Sequence, residues 1–272
     1  MSALKIISFI KEKYALKYYP LTSKFFGIEY QPKKSIEDYI INKILITTDL
    51  SYKSLIFALK NKVNFIITYY GLLNSPIRHF DYLLIKKLNL LSKFSSIVFT
   101  LNSSIVASEY GTSATLGEVL FLKTVHLFKI NQNKKEIPIG RICLPNRYPH
   151  SNESSFTLEN LINRVKANLE LANLNYSGNL NKKIERICII ATNISKIKIA
   201  KKLFDHKCDC LICSNIDSKH ALFAKEIKLC FIEIPFLKVL RLTLKKFHKI
   251  LSLEYPNKKV YFFDSSYPIQ KY

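Results

Sequence analysis

Three consecutive stretches decide the fold: Lys43-Ile-Leu-Ile-Thr-Thr-Asp49, Ser51 to Lys60, and Asn64-Phe-Ile-Ile-Thr-Tyr-Tyr70. The first and third are short apolar runs rich in β-branched residues, which suits strands buried on both faces. The middle stretch places Leu55, Ile56 and Leu59 at helical spacing. A connection of this length allows a crossover helix, so the strands are predicted parallel and the crossover right-handed. The same grammar returns downstream. Glu185-Arg-Ile-Cys-Ile-Ile-Ala191 reads as a strand, Ser195 to His206 as a helix and Asp209-Cys-Leu-Ile-Cys213 as a strand. A helix from Asp217, a strand from Lys228 to Ile234, a long helix from Leu237 to Leu253 and a strand from Lys259 to Phe263 follow. The predicted class is α/β: two similar α/β lobes with mainly parallel strands and flanking helices.

Outside these halves the signals are simpler. Ser2 caps a first helix whose face carries Ile6, Phe9, Ile10 and Tyr14, and Pro20 ends its reach. Glu29 to Asp38 reads as a loop with Pro32 and two lysines. Thr124 to Ile130 and Glu136 to Leu144 are strand-like and joined by the polar turn Asn131-Gln-Asn-Lys-Lys135. Pro145 to Ser155 is rich in Pro, Asn and Ser and marks a boundary. The expected divisions are a first lobe at 1–123, connecting strands and a linker at 124–156, and a second lobe at 157–272.

The chain of 272 residues is 48% hydrophobic, so it can bury a sizeable core. Its formal charge is +22 and its isoelectric point is near 9.7. That field attracts polyanions. The cations are 36 Lys and 6 Arg. Lys acts as a point charge, and Arg is the bidentate reader of bases, so base-specific readout is poorly supported. Two readings of the charge stand: the codon usage of a low-GC genome, which is favoured, and a selected polyanion-binding surface. No apolar run approaches the length of a membrane span, and Met1 to Tyr18 reads as an amphipathic helix, not a signal peptide. Six cysteines without a secretory signal point to reduced thiols in the cytoplasm or nucleus.

The order of these pieces resembles the Nif-three-like family, many of whose members carry the label GTP cyclohydrolase 1 type 2. Ile44-Leu-Ile-Thr-Thr-Asp-Leu50 resembles that family's first lobe strand. Phe65-Ile-Ile-Thr68 is similar to the strand running into its Thr-His-His-Pro motif. Gly140-Arg-Ile-Cys-Leu-Pro145, Thr157-Leu-Glu159 and Arg164-Val-Lys166 resemble its passage between the lobes. Lys182-Lys-Ile-Glu-Arg-Ile-Cys-Ile-Ile190 resembles the opening of its second lobe. The resemblance implies two α/β lobes, a homo-oligomer built of dimers and a pair of bound metal ions.

The implied ligand positions carry other residues. Thr68-Tyr69-Tyr70-Gly71 stands where the family has Thr-His-His-Pro. Leu101 and Ile105 bound the segment that corresponds to His-Thr-Asn-Leu-Asp, and the late His…Glu pair falls near Ile234 and Lys238. A phenol is a poor replacement for neutral imidazole, and Leu and Ile offer no donor. No metal or other cofactor is therefore expected.

Other constellations have a bland and a sharp reading. His206, Cys208, Cys210, Cys213 and His220 form the densest set of soft ligands. On a strand, Cys208 and Cys210 face one side and Cys213 the other, so buried core thiols are the favoured reading over a metal or redox site. Asp49 reads as the cap of the following helix or as a functional group on the strand rim. Tyr69 and Tyr70 read as rim packing or as a stacking surface. His79, His126, His150 and His248 have no sequence partner that forms a triad or ligand set. There is no glycine-rich phosphate loop. Lys238, Arg241, Lys245 and Lys249 share one helix face opposite Leu240, Leu244, Phe247 and Leu251. That face is either a solvated cover over a core or a set of polyanion contacts. The functional expectation is a non-catalytic binding or scaffolding factor for a protein or RNA partner. The alternative is a metal-dependent hydrolase acting on a nucleotide or phosphoester.

Overall fold

The computed structural model describes residues 2–14, 25–32, 35–73, 79–132, 134–146, 155–192 and 199–265. The chain divides into two units, Met1–Ile105 with Leu240–Tyr272, and Val106–Val239. The first stretch holds α1 (Ala3–Tyr14), β1 (Gly27–Tyr30), β2 (Lys43–Asp49), α2 (Tyr52–Lys60), β3 (Phe65–Tyr70), α3 (Tyr82–Ser92) and β4 (Ile97–Thr100), then a 3-10 turn at Asn102–Ile105. The middle stretch holds α4 (Thr112–Val119), β5 (Leu122–Gln132), β6 (Lys135–Pro145), α5 (Leu158–Leu169), β7 (Asn175–Ser177), β8 (Ile187–Ile190), α6 (Ala200–Asp205), β9 (Cys210–Cys213), α7 (Ser218–Glu226) and β10 (Cys230–Glu233). The division falls within α8 (Phe236–Glu254), and β11 (Lys259–Phe263) follows.

The first sheet has the order β1-β4-β3-β2-β11. β2 and β3 pair in parallel from Ile44 opposite Phe65, and β4 continues the parallel set from Ile97. Alternation sorts the side chains into two layers. Leu45, Ile66 and Val98 pack with Leu55 and Ala58 of α2 and with Leu90 and Leu91 of α3. Ile44, Ile46, Phe65, Ile67 and Phe99 point the other way and are also fully buried, as a sheet covered on both faces requires. Ser51 caps α2 by accepting from the Ser54 amide at 3.2 Å, and Asp81 caps α3 through the Leu84 amide at 2.8 Å. α1 packs on α8 through the rings of Tyr14 and Phe247, 4.1 Å apart. Asp49 accepts from the Thr48 hydroxyl at 3.0 Å and from Ser265 Oγ, so the cap expected of it belongs to Ser51.

The second sheet has the order β5-β6-β8-β9-β10-β7. β8, β9 and β10 are parallel, with Ile187, Cys210 and Cys230 in line. The β5–β6 hairpin docks antiparallel on β8, and the short β7 closes the other edge antiparallel to β10. Both expected strand–helix–strand halves are therefore parallel units. The start expected for the second crossover helix, Ser195, lies outside the described residues.

The divisions differ from the expected ones in two places. Residues 124–132 and 135–145 are strands of the second sheet and not connectors, because β6 supplies the ladder to β8. The last strand belongs to the first sheet: β11 pairs in parallel with β2 from Lys259 opposite Lys43 to Phe263 opposite Thr47. An apolar run announces a strand but not its neighbour, so the local sequence could not assign β11 to a sheet. Similarly, β1 starts at Gly27 and runs through Tyr30, so it takes the first two residues of what reads as a loop from Glu29 onward. No helix among the described residues is long and apolar enough to cross a membrane.

Candidate functional site

The carboxyl ends of parallel strands are where open α/β sheets place their chemistry. At that rim of the first sheet the polar groups bond inward. Thr47 Oγ1 donates to the Asp49 carbonyl at 3.2 Å, and Thr68 Oγ1 to the Tyr70 carbonyl at 2.8 Å. The ring of Tyr69, buried, meets Tyr70 edge to face with centroids 4.7 Å apart. Burial pushes the Tyr70 phenol above its ordinary value, so it stays a neutral hydroxyl. Beyond it the chain passes over Glu29. The Glu29 carboxylate accepts from the amides of Leu72 (2.8 Å) and Leu73 (2.9 Å) and from Thr100 Oγ1 (2.7 Å). A Cβ on Gly71 would lie 2.0 Å from Glu29 Oε2, so any larger residue there would displace the carboxylate from these bonds.

The other implied ligand positions are apolar and enclosed. Leu101 and Ile105 are fully buried, and the Leu101 amide donates to the Thr68 carbonyl at 2.8 Å. In the second unit Ile234 is buried, its amide bonded to the Cys213 carbonyl at 2.9 Å. Lys238 is partly exposed on α8. Two leucine or isoleucine side chains in the first unit, one in the second, two phenols and an ammonium do not form a donor set for a metal pair. Among the described residues no three of His, Cys, Asp and Glu gather to hold a metal ion.

The Duf34/NIF3 (NGG1p interacting factor 3) family matches residues 3–268. The chain belongs to this family. None of the curated proteins compared with it matches. Its fold is shared with HcgD of Methanocaldococcus jannaschii, at 20% identity and a TM-score of 0.74 over 96% of this chain and 97% of the other. A Bacillus cereus protein related to NIF3 is similar at 12% identity and a TM-score of 0.77, over 100% of this chain and 99% of the other. A Staphylococcus aureus protein is similar at 17% identity and a TM-score of 0.75, with the same coverage.

In this family member the histidines are dispersed. His220 Nδ1 lies 2.7 Å from Asp217 Oδ1 at the start of α7. His248 Nε2 lies 3.1 Å from the Val260 carbonyl, and His206 stacks obliquely near Phe128 at 5.6 Å. His79 is exposed and His126 lies on β5. His150 is outside the described residues.

All six cysteines are free, and all belong to the second unit. The face expected to hold Cys208 with Cys210 does not form, because Cys208 precedes β9 and strand alternation does not reach it. Its thiol instead meets that of Cys188 on β8, whereas Cys210 pairs across the sheet with Cys230. Burial pushes the Cys143 thiol up to about 11 and that of Cys213 to about 12, and raises Cys188, Cys210 and Cys230 as well. These five are therefore protonated thiols at neutral pH.

The basic face of α8 is partly occupied. Arg241 donates to Asp264, and Lys245 Nζ lies 3.7 Å from the same carboxylate. Lys249 is exposed. Two further cations that the charge count includes are turned inward. Arg141 donates to the carbonyls of Ala107 (3.0 Å) and Ser108 (2.8 Å), and Arg164 to those of Leu120 (3.3 Å) and Asn146 (3.0 Å). Neither role shows in local sequence, because the carbonyls lie between 18 and 44 residues away. Glu29 was missed for the same reason, its partners being 43, 44 and 71 residues distant.

Proposed function

We propose that this chain is a non-catalytic Duf34/NIF3 protein, a binding or scaffolding factor that has lost the metal pair the family resemblance implies. The observation that carries this reading is the pair Leu101 and Ile105, fully buried and without a donor atom, at positions aligned with metal ligands. Tyr69, Tyr70, Ile234 and Lys238 support it in the same way. Elemental analysis of the purified protein tests the reading. It should find zinc and iron far below one ion per chain. A stoichiometric metal pair, or metal-dependent phosphoester hydrolysis abolished by substituting a histidine, would establish the hydrolase alternative instead.

The partner proposed is RNA or an acidic protein, met in the cytoplasm or nucleus by a homo-oligomer. The charge of +22 supports a polyanion, and the preponderance of Lys over Arg argues for weak sequence preference. Replacing Lys238, Arg241, Lys245 and Lys249 together by Gln should flatten the salt dependence of RNA binding. Because Arg241 is engaged by Asp264, the slope should fall by about two to three units rather than the full four that unpaired contacts would give. Equal binding by both proteins would make this face a solvated cover. No RNA binding at any salt would direct the search to proteins.

A further inference from the structure

The second unit contains a cavity of about 460 Å³ at the amino-terminal end of β10, the rim opposite the carboxyl ends of its parallel strands. One wall is the end of β7 and the segment after it, with Ser177, Asn179, Asn181 and Lys182; the other is the end of α7 and the turn to β10, with Lys225 and Lys228. Cys230 forms the floor. Gly178 has φ +130°, and a Cβ there would lie 2.4 Å from Cys230 Sγ, so the first wall sits directly on the floor.

The walls are held before any ligand arrives. The first two amides of α5, from Leu158 and Glu159, donate to the carbonyls of Lys182 and Leu180, each at 3.0 Å. Lys182 Nζ spans to the other wall, donating to the Lys228 carbonyl at 2.6 Å and reaching the Asp209 carbonyl at 3.5 Å. The carbonyls at the end of α7 are answered by the amides of Ile227, Lys228 and Leu229. The Asp209 carboxylate accepts from the Glu185 and Arg186 amides at 2.9 and 2.8 Å. The lining thus contains three ammonium groups and no carboxylate, and none of the three forms an ion pair among the described residues.

We propose that this cavity binds a small phosphorylated anion, with Lys182, Lys225 and Lys228 on its phosphate oxygens and the side-chain NH2 groups of Asn179 and Asn181 fixing its orientation. Its size falls within the ordinary range for small-molecule sites. Walls fixed by backbone hydrogen bonds reduce the ordering that binding requires. Charge-assisted hydrogen bonds from ammonium to phosphate supply the attraction, and the adjacent amides supply geometry that a bare lysine cluster lacks. The floor thiol stays protonated through burial, so the cavity holds its ligand without attacking it. The site is separate from the positions aligned with the family's metal ligands, and its test does not depend on metal content.

The probe is inorganic pyrophosphate, titrated calorimetrically into the full-length protein at low and at physiological salt. Three proteins are compared: wild type, the double variant Lys225→Gln with Lys228→Gln, and the charge-matched control Lys53→Gln with Lys60→Gln on the exposed surface of α2. Wild type and control should show the same saturable, one-to-one binding. The cavity variant should bind more weakly by about tenfold or more, as expected for the loss of charge-assisted contacts. Equal weakening in both variants would show attraction to net charge alone and overturn the proposal. Failure of the wild type to saturate would overturn it as well.

Discussion

Each unit pins a loop with one charged side chain, and the two use opposite signs. In the first, the Glu29 carboxylate gathers two amides beyond β3 and the Thr100 hydroxyl. In the second, the buried Arg141 guanidinium gathers the carbonyls of Ala107 and Ser108. The first arrangement seals a strand rim where function commonly sits. The second removes a cation from the surface. Arg141, Arg164 and Arg241 all serve internal contacts, so the surface of this highly charged protein is characterised by lysine more strongly than its composition implies.

The comparison breaks first at Arg141. Arg141→Leu leaves two enclosed carbonyls without their donor and should cost about 4 kcal/mol in urea unfolding. A loss below about 1 kcal/mol would mean that water or another donor replaces the guanidinium. Glu29→Ala should cost less, about 2–3 kcal/mol, because the exposed Leu73 amide regains water. If Glu29→Ala proves the costlier of the two, the greater enclosure of the second loop is not what sets the cost.

A pH series separates the units further, because the cysteines lie in only one of them. The folded Cys143 thiol titrates near 11 against an ordinary 9.0, so the folded state holds the proton more tightly than the unfolded chain. Its contribution is complete below pH 9 and is lost as pH rises from 9 through 11. That window should remove about 2 kcal/mol of stability. Cys143→Ala should show a shallower decline over the same window, whatever its stability at neutral pH. Parallel declines would assign the alkaline loss to the other buried thiols and to tyrosines.

Gly178→Ala combines a strained backbone with a clash on Cys230 and should cost about 1–3 kcal/mol by thermal or urea unfolding. A neutral result would mean that the wall after β7 can lift. The smallest effect belongs to Arg241→Gln, which loosens a partly exposed pair with Asp264 and should shift stability by about 0.5 kcal/mol. A change several times larger would show that α8 depends on that pair.

What the sequence made legible was local. The runs at Lys43, Phe65, Ile187 and Cys210 announced their strands as short continuous apolar stretches. Leu55, Ile56 and Leu59 announced the first crossover helix by their spacing, and the long helix after Pro235 carried its apolar stripe in plain view. The ordered set of short matches identified the family. Features made across long separations were hidden: the return of β11 to β2, the loop held by Glu29, the inward turn of Arg141. The cavity beside Cys230 was hidden too. Lys182 and Lys228 lie 46 residues apart in sequence, and only the fold sets one ammonium 2.6 Å from the other's carbonyl. The expected polyanion face on α8 was visible as spacing, but the carboxylate that engages it, Asp264, lies after the next strand.

The pairing of β11 with β2 also sets a schedule. During synthesis β2 emerges early, but the strand that covers its flank is made only after the whole second unit. At ordinary elongation rates that interval lasts on the order of ten to forty seconds. Until then the first sheet presents an open edge along Lys43 to Thr47, with its amides and carbonyls available to any passing strand. The second unit, contiguous in sequence, faces no such wait. A nascent chain should therefore engage chaperones chiefly through its early residues, and release from them should coincide with the arrival of Lys259–Phe263.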